Sequence, residues 1–255
     1  DQPPPVAILP PPADYHPDLF LVNNARGPSP NRFGGIDDLS SLMQSAGRPW
    51  HRSATAGPTS GPNGLIDPDD VVLIKVNAQW AQRGGTNTDV LRGIMRVIVE
   101  HPDGFVGEII VADNGQGYGN LNRTESNAED HGQSPQDVVN DFAAEGWKAS
   151  IKLWDNFRTS LVSEFSIGDL SDGYIVSNVL DPQTQIRVSY PKFRSLWGTY
   201  VSYKLGIWDT ASSSYNSDRL VVINVPVLKT HSIYGVTGAV KNHMGVITQS
   251  LSTDS

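Results

Sequence analysis

The stretch Val71-Val-Leu-Ile-Lys-Val-Asn77 decides how this chain folds, once it is read together with the residues up to Asp113. An apolar run rich in β-branched residues, with no polar alternation, is the pattern of a strand covered on both faces. Gly84-Gly85 then turns the chain, and Thr86-Asn-Thr88 offers a cluster of good N-cap residues. From Asp89 to Glu100, the residues Val90, Leu91, Ile94, Val97 and Ile98 recur at helical spacing, and Pro102 stops the run. Gly107-Glu-Ile-Ile-Val-Ala-Asp113 is a second compact apolar strand. Strand, helix and strand within 43 residues make a βαβ unit, so the two strands are parallel and joined by a right-handed crossover.

Outward from this unit, residues 36–46 put Ile36, Leu39, Leu42 and Met43 on one helical face, with Gly47 as the stop. Residues 53–70 are rich in Gly, Pro, Ser and Thr and read as a surface loop. After the second strand comes a long polar loop, Asn114 to Gln133. Ser134-Pro-Gln-Asp then opens a helix that runs to about Glu145, with Ser as N-cap and Pro at the first helical position. Lys148 to Trp154 reads as a third strand. Between 174 and 208 the period changes to two, the pattern of half-exposed antiparallel strands. Arg219 to Leu228 returns to the buried-strand pattern and runs into Lys229-Thr-His231. The expectation is an α/β fold: an open, mostly parallel sheet with helices on both faces, plus an antiparallel insertion or edge around 174–208. Seven prolines among the first 17 residues mark an extended arm, which we take to residue 35, followed by a single domain over 36–255.

Composition narrows the function classes. The formal net charge is −8, with no basic run, which argues against a nucleic-acid partner. No cysteine is present, so thiolate catalysis, disulfides and iron–sulfur clusters are excluded within this chain. No apolar run is long enough to cross a membrane. Scarce lysine, plentiful Asn, Ser, Thr, Gly and Trp, and a start at Asp1 point to an extracytoplasmic or secreted protein.

Ligands of open α/β sheets bind beyond the carboxyl ends of the strands. Three apolar runs end in polar groups there. The first ends in Lys75, Asn77 and Gln79, the second ends in Asp113 and Asn114, and the last ends in Lys229, Thr230 and His231. Thr86, Asn87 and Thr88 would place a helix N-terminus at the same edge, and Thr237-Gly-Ala239 would place another, with Lys241 and Asn242 one turn in. Each residue also has a structural reading: Lys75 as a snorkelling edge lysine, Asp113 and Asn77 as turn caps, His231 as a hydrogen-bonding structural residue. A divalent metal could take His231 and Asp113 as two ligands, although no spacing demands it. The glycines at 115, 117 and 119 lack the third glycine of a dinucleotide fingerprint, and no P-loop, nucleophile elbow or His-Glu-x-x-His motif occurs.

The segments Asp69–Asn77, Gly85–Asp89, Gly107–Asp113, Asn224-Val-Pro-Val-Leu-Lys-Thr-His231 and Gly235-Val-Thr-Gly-Ala-Val-Lys-Asn-His-Met-Gly245 together resemble the prokaryotic domain of unknown function 362 family, over roughly residues 65–248. The resemblance implies no settled activity. Some members carry ferredoxin-type cysteine clusters, which this chain lacks, and some are exported. Domains of the family usually continue past the Lys-Asn motif, so the resemblance implies that this chain, ending at Ser255, is incomplete at its C-terminal end. Two functions compete. One is an enzyme on a small anionic substrate, with Lys229 and Lys241 on the anion, His231 as general acid/base, and Asp113 orienting it. The other is a non-catalytic secreted or cell-surface protein that meets a partner, or itself, through the proline-rich arm and edge strands.

Overall fold

The computed structural model describes residues 18–80, 84–124, 126–180, 187–232 and 235–248. The first helix, α1, spans Gly34–Ser45. The βαβ unit comes next as β1 (Val71–Lys75), α2 (Thr88–Val99) and β2 (Glu108–Asp113). Then come α3 (Pro135–Ala144) and β3 (Ala149–Leu153). Five antiparallel strands succeed them: β4 (Gly173–Leu180), β5 (Arg187–Arg194), β6 (Tyr200–Ser202), β7 (Gly206–Asp209) and β8 (Ser214–Asn216). The chain closes with β9 (Leu220–Asn224), the hairpin β10 (Lys229–His231) and β11 (Gly235–Thr237), and the short helix α4 (Ala239–Asn242).

The parallel sheet has the order β9-β1-β2-β3. In β1, successive side chains alternate between two cores. Val72 and Ile74 join the helical core with Leu91, Met95, Ile98 and Phe142, whereas Val71 and Leu73 join Trp154, Tyr174, Phe193 and Val201 of the antiparallel layer. The expected helices on both faces therefore give way to three layers: α1, α2 and α3 on one face, and the five-stranded sheet on the other. Handedness explains this division. The crossovers β1→β2→β3 step one way along the sheet and carry α2 and α3 on one face. The return from β3 to β9 steps the other way, and a right-handed connection then lies on the opposite face, where the antiparallel sheet sits.

Local signals set most element ends. Ser134 caps α3 in a reciprocal capping box with Asp137, behind Pro135. Asn87 caps α2 by accepting from the N–H groups of Asp89 and Val90. The last strand departs from expectation. Parallel pairing stops at Asn224, and Val225 gives its N–H to the Lys75 carbonyl before Pro226, which has no N–H to offer. Lys229–His231 belongs instead to a separate antiparallel hairpin with β11. Nor is β9 covered on both faces: it is an edge strand, and Val222 is partly exposed. Of the expected N-terminal arm, residues 1–17 lie outside the described residues. Phe20 and Phe33 pack against the helical core, and a two-residue hairpin (28–29 with 32–33) leads into α1.

Leu73 and Ile74 are both fully buried, on opposite faces of β1. Truncating either to alanine is expected to cost about 2–5 kcal/mol in urea unfolding, with similar values for the two. A cost below about 1 kcal/mol for Leu73→Ala alone would show that the antiparallel layer does not pack on the sheet.

Candidate functional site

Beyond the carboxyl ends of β1 and β2 lies a cleft of about 1170 Å³. It sits at the point where the sheet's connections diverge. The chain leaving β1 goes to the helical face, while the chain leaving β9 passes through β10, β11 and α4 to bury Val246 in the other core. Open α/β sheets bind ligands at such a switch point.

The floor of the cleft is an ion pair. Lys75, at the end of a fully buried strand, reaches the Asp113 Oδ1 atom of the neighbouring strand. Both side chains are almost wholly buried, at 1% and 3% exposure. Lys75 also donates to the Val76 carbonyl at 2.7 Å, and Asp113 Oδ2 accepts the Ala78 N–H. Burial pushes the Asp113 carboxyl up to about 6, against the opposing pull of Lys75 and the Ala78 N–H. Burial likewise lowers Lys75 below the usual lysine range, with Asp113 acting against it. The snorkelling reading of Lys75 and the turn-cap reading of Asp113 are both set aside by this contact.

Gly245 closes over the pair. An ideal Cβ there would collide with Asp113 Oδ1 and stand 2.8 Å from Lys75 Nζ, so only glycine lets the backbone approach. The Gly245 carbonyl meanwhile accepts the Asn114 N–H.

The hairpin supplies the second wall. Lys229 and His231 share one face of β10 by the two-residue strand period. Lys229 donates to the Gly84 carbonyl at 2.6 Å, and burial lowers its pKa while Asp113 opposes the change. Lys241 of α4 donates to His231 Nε2 at 2.9 Å, which requires that nitrogen to be the unprotonated one. Thr237 lines the cleft and donates to the Val227 carbonyl, while Thr230 lies exposed at its rim. Asn242 ties the structure across the switch point, donating to Asn224 Oδ1 at 2.7 Å. Asn114 also lines the cleft, but its amide donates to the Tyr174 hydroxyl and the Ile247 carbonyl, an anchoring role.

Three expected ligand-binding residues lie elsewhere. The Thr86 hydroxyl accepts the Asn77 N–H and donates to the Val225 carbonyl. The Asn87 oxygen caps α2, and its amide donates to the Asn127 carbonyl. Thr88 is buried against Ser126. None of the three lines the cleft. The N-terminus of α2 is thus closed off by its own cap and Ser126, and α4, at four residues, is too short to build a macrodipole. Asn77, by contrast, lines the cleft, with its Oδ1 buried and without a hydrogen-bond partner among the described residues.

Gln79, marked with Lys75 and Asn77 at the end of the first apolar run, lines the cleft too. Sequence reading missed the rest of the far wall: Trp80, Gln116, Asn127, Glu129 and His131. The loop carrying the last three is held at α2 because Asp89 accepts the Glu129 N–H at 2.8 Å. No periodicity marks such a tie; the acidic residue in the first turn of α2 was its one signal. The loop with Gln116 is drawn in by Asp155, which accepts from Gly117 N–H at 2.7 Å and also from Gly115 N–H. Among the described residues no group of three or more His, Asp or Glu side chains could hold a metal ion. Asp113, already neutralised by Lys75, is a poor ligand to join His231.

Fold and cleft define an α/β protein with a lysine-bearing cleft at the switch point of a parallel sheet. Its residues 199–252 match the family model described as domain of unknown function (DUF362), which contains both the Leu-Lys-Thr-His and the Val-Thr-Gly-Ala-Val-Lys-Asn segments and leaves β1 and β2 outside. No curated protein and no solved structure matches the chain. No described helix is long and apolar enough to cross a membrane.

Removing Lys75 strands a buried carboxylate. Lys75→Met is expected to destabilise the fold by about 3–5 kcal/mol at pH 7, and the double variant Lys75→Met/Asp113→Leu to recover most of that loss. The pH dependence has a definite sign. Asp113 has a folded pKa near 6 against 3.8 as an ordinary carboxyl, so folding takes up a proton between those values. Stability from this group is greatest below pH 4 and falls as pH rises to 6. Carboxyl NMR is expected to place the Asp113 titration near 6.

Proposed function

We propose that this cleft binds a small anion, a carboxylate or phosphate, and that the protein is an enzyme working on it by lysine and histidine acid–base chemistry. One observation carries the reading. In a chain of net charge −8, the described lining of the cleft gathers three lysines against two carboxylates, Asp113 and Glu129. A concave site of the opposite sign to the whole molecule selects anions.

The roles derive from position. Lys229 and Lys241 hold the anion. His231, oriented by Lys241, exchanges a proton with the bound group. Asp113, its carboxyl raised to about 6 by burial, is paired with Lys75 at the floor. This narrows the part first given to Asp113, which serves Lys75 rather than His231. An extracytoplasmic setting is part of the same proposal and is supported by composition alone.

A second reading, a non-catalytic secreted or cell-surface assembly protein, draws on the exposed apolar side chains Val179 and Val188 on β4 and β5. It requires self-association that depends on concentration in analytical ultracentrifugation.

Calorimetric titration with inorganic phosphate and with acetate tests the main reading. Binding of at least one is expected, weakening as salt rises, and Lys229→Met or Lys241→Met is expected to reduce affinity about tenfold each, by analogy with loss of a charged hydrogen bond. Absence of binding by both ions at low salt, or lysine variants that bind as well as the parent, would remove it.

A further inference from the structure

Anion binding by the lysines leaves the far wall of the cleft without a task, and the chemistry of that wall narrows the ligand. A bare carboxylate only accepts hydrogen bonds, and a bare phosphate has no donor other than a P–OH on the charged group itself. Asn77 Oδ1, buried in the wall and without a partner among the described residues, is an acceptor and calls for a donor. A ligand with a donor separate from its negative charge satisfies this acceptor while the charge stays with the lysines. An ammonium group is disfavoured by the lysine excess of the described lining, which favours a neutral donor such as hydroxyl.

Two further features agree. Gln79 donates to Gln116 Oε1 at 2.9 Å across the cleft wall, and Asn127 stands nearby in the same lining. Amide side chains both donate and accept, as hydroxyl groups do, so an amide-rich wall pairs with several hydroxyls at once. Trp80 lines the same cleft with its residue 55% exposed, a large aromatic surface left open at a concave site. Such a ring covers the C–H face of a saturated ring while the ring's hydroxyls reach the amides. A volume of about 1170 Å³ is more than a bare ion needs and accommodates a sugar-sized molecule.

We infer that the ligand is a polyhydroxylated anion, a sugar acid or a sugar phosphate, with its charge toward Lys229 and Lys241 and its hydroxylated ring against Trp80, Asn77 and the Gln79–Gln116 pair. This inference rests on the anion-binding reading. It adds that the anion carries a hydroxylated ring.

Calorimetry on the intact chain separates the two. The probes are glucuronate against acetate, glucose 6-phosphate against inorganic phosphate, and neutral glucose. At least one sugar anion is expected to bind about ten or more times more tightly than its bare counterpart, with glucose itself weaker than either. Trp80→Ala and Asn77→Ala are each expected to weaken sugar-anion binding about tenfold while leaving phosphate or acetate binding unchanged; melting curves matching the parent confirm their fold. Equal affinity for sugar anions and bare anions would overturn the sugar inference and leave anion binding standing. Failure of every anion would overturn both. The parent-protein comparison decides the matter even if a variant does not fold.

Discussion

The structure depends on one buried contact, between Lys75 on β1 and Asp113 on β2. Two ionised groups removed from water are costly, and they are tolerated only where each finds its complement. Here the complement is completed by the Val76 carbonyl and the Ala78 N–H, both in the chain that leaves β1. The pair thus fixes the register of the strand ends and the start of the cleft at once. Gly245 then brings the C-terminal segment down onto it, because no side chain fits between. Strand ends, loop and family-matched segment meet at this point.

The cleft is a product of topology. Two crossovers run one way along the sheet and the return runs the other, so the connections diverge between β1 and β9. The divergence leaves a gap at the carboxyl edge, and the β10–β11 hairpin folds over it. Lys229 and His231 reach the cleft because Pro226 ends the parallel pairing and frees the next residues to form that hairpin. A longer β9 would have carried both side chains away from β1.

The antiparallel layer explains how an open sheet with three principal helices on one face is covered on the other. Trp154, Tyr174, Phe193 and Val201 supply the apolar cover. The layer is held by polar links as well: Glu164 accepts from the hydroxyls of Tyr190 at 2.9 Å and Tyr215 at 2.6 Å. Lys192 is buried beside Asp169, over the Phe165 ring. Asn114 joins this layer to the cleft through Tyr174. A shift in the antiparallel sheet would therefore be felt at the strand ends.

The amino-acid order alone determined the βαβ unit, the capped helices, the parallel strands and the change of period after residue 173, because these depend on contacts between near neighbours and on apolar runs. It also marked Lys75, Asp113, Lys229, His231 and Lys241, since polar groups beside buried strands stand out at any distance. Only the tertiary structure decided which of those groups meet. Thr86, Asn87 and Thr88 were indistinguishable by residue type from cleft residues, yet the Thr86 hydroxyl is spent on the Asn77 N–H and the Val225 carbonyl, the Asn87 amide on the α2 cap, and the Thr88 hydroxyl on Ser126. Asn127, Glu129 and His131 came to the cleft through loop anchors on Asp89 and the α2 cap, contacts between residues about forty positions apart. Local propensity carries no information about such pairings, because they are set by how the layers pack.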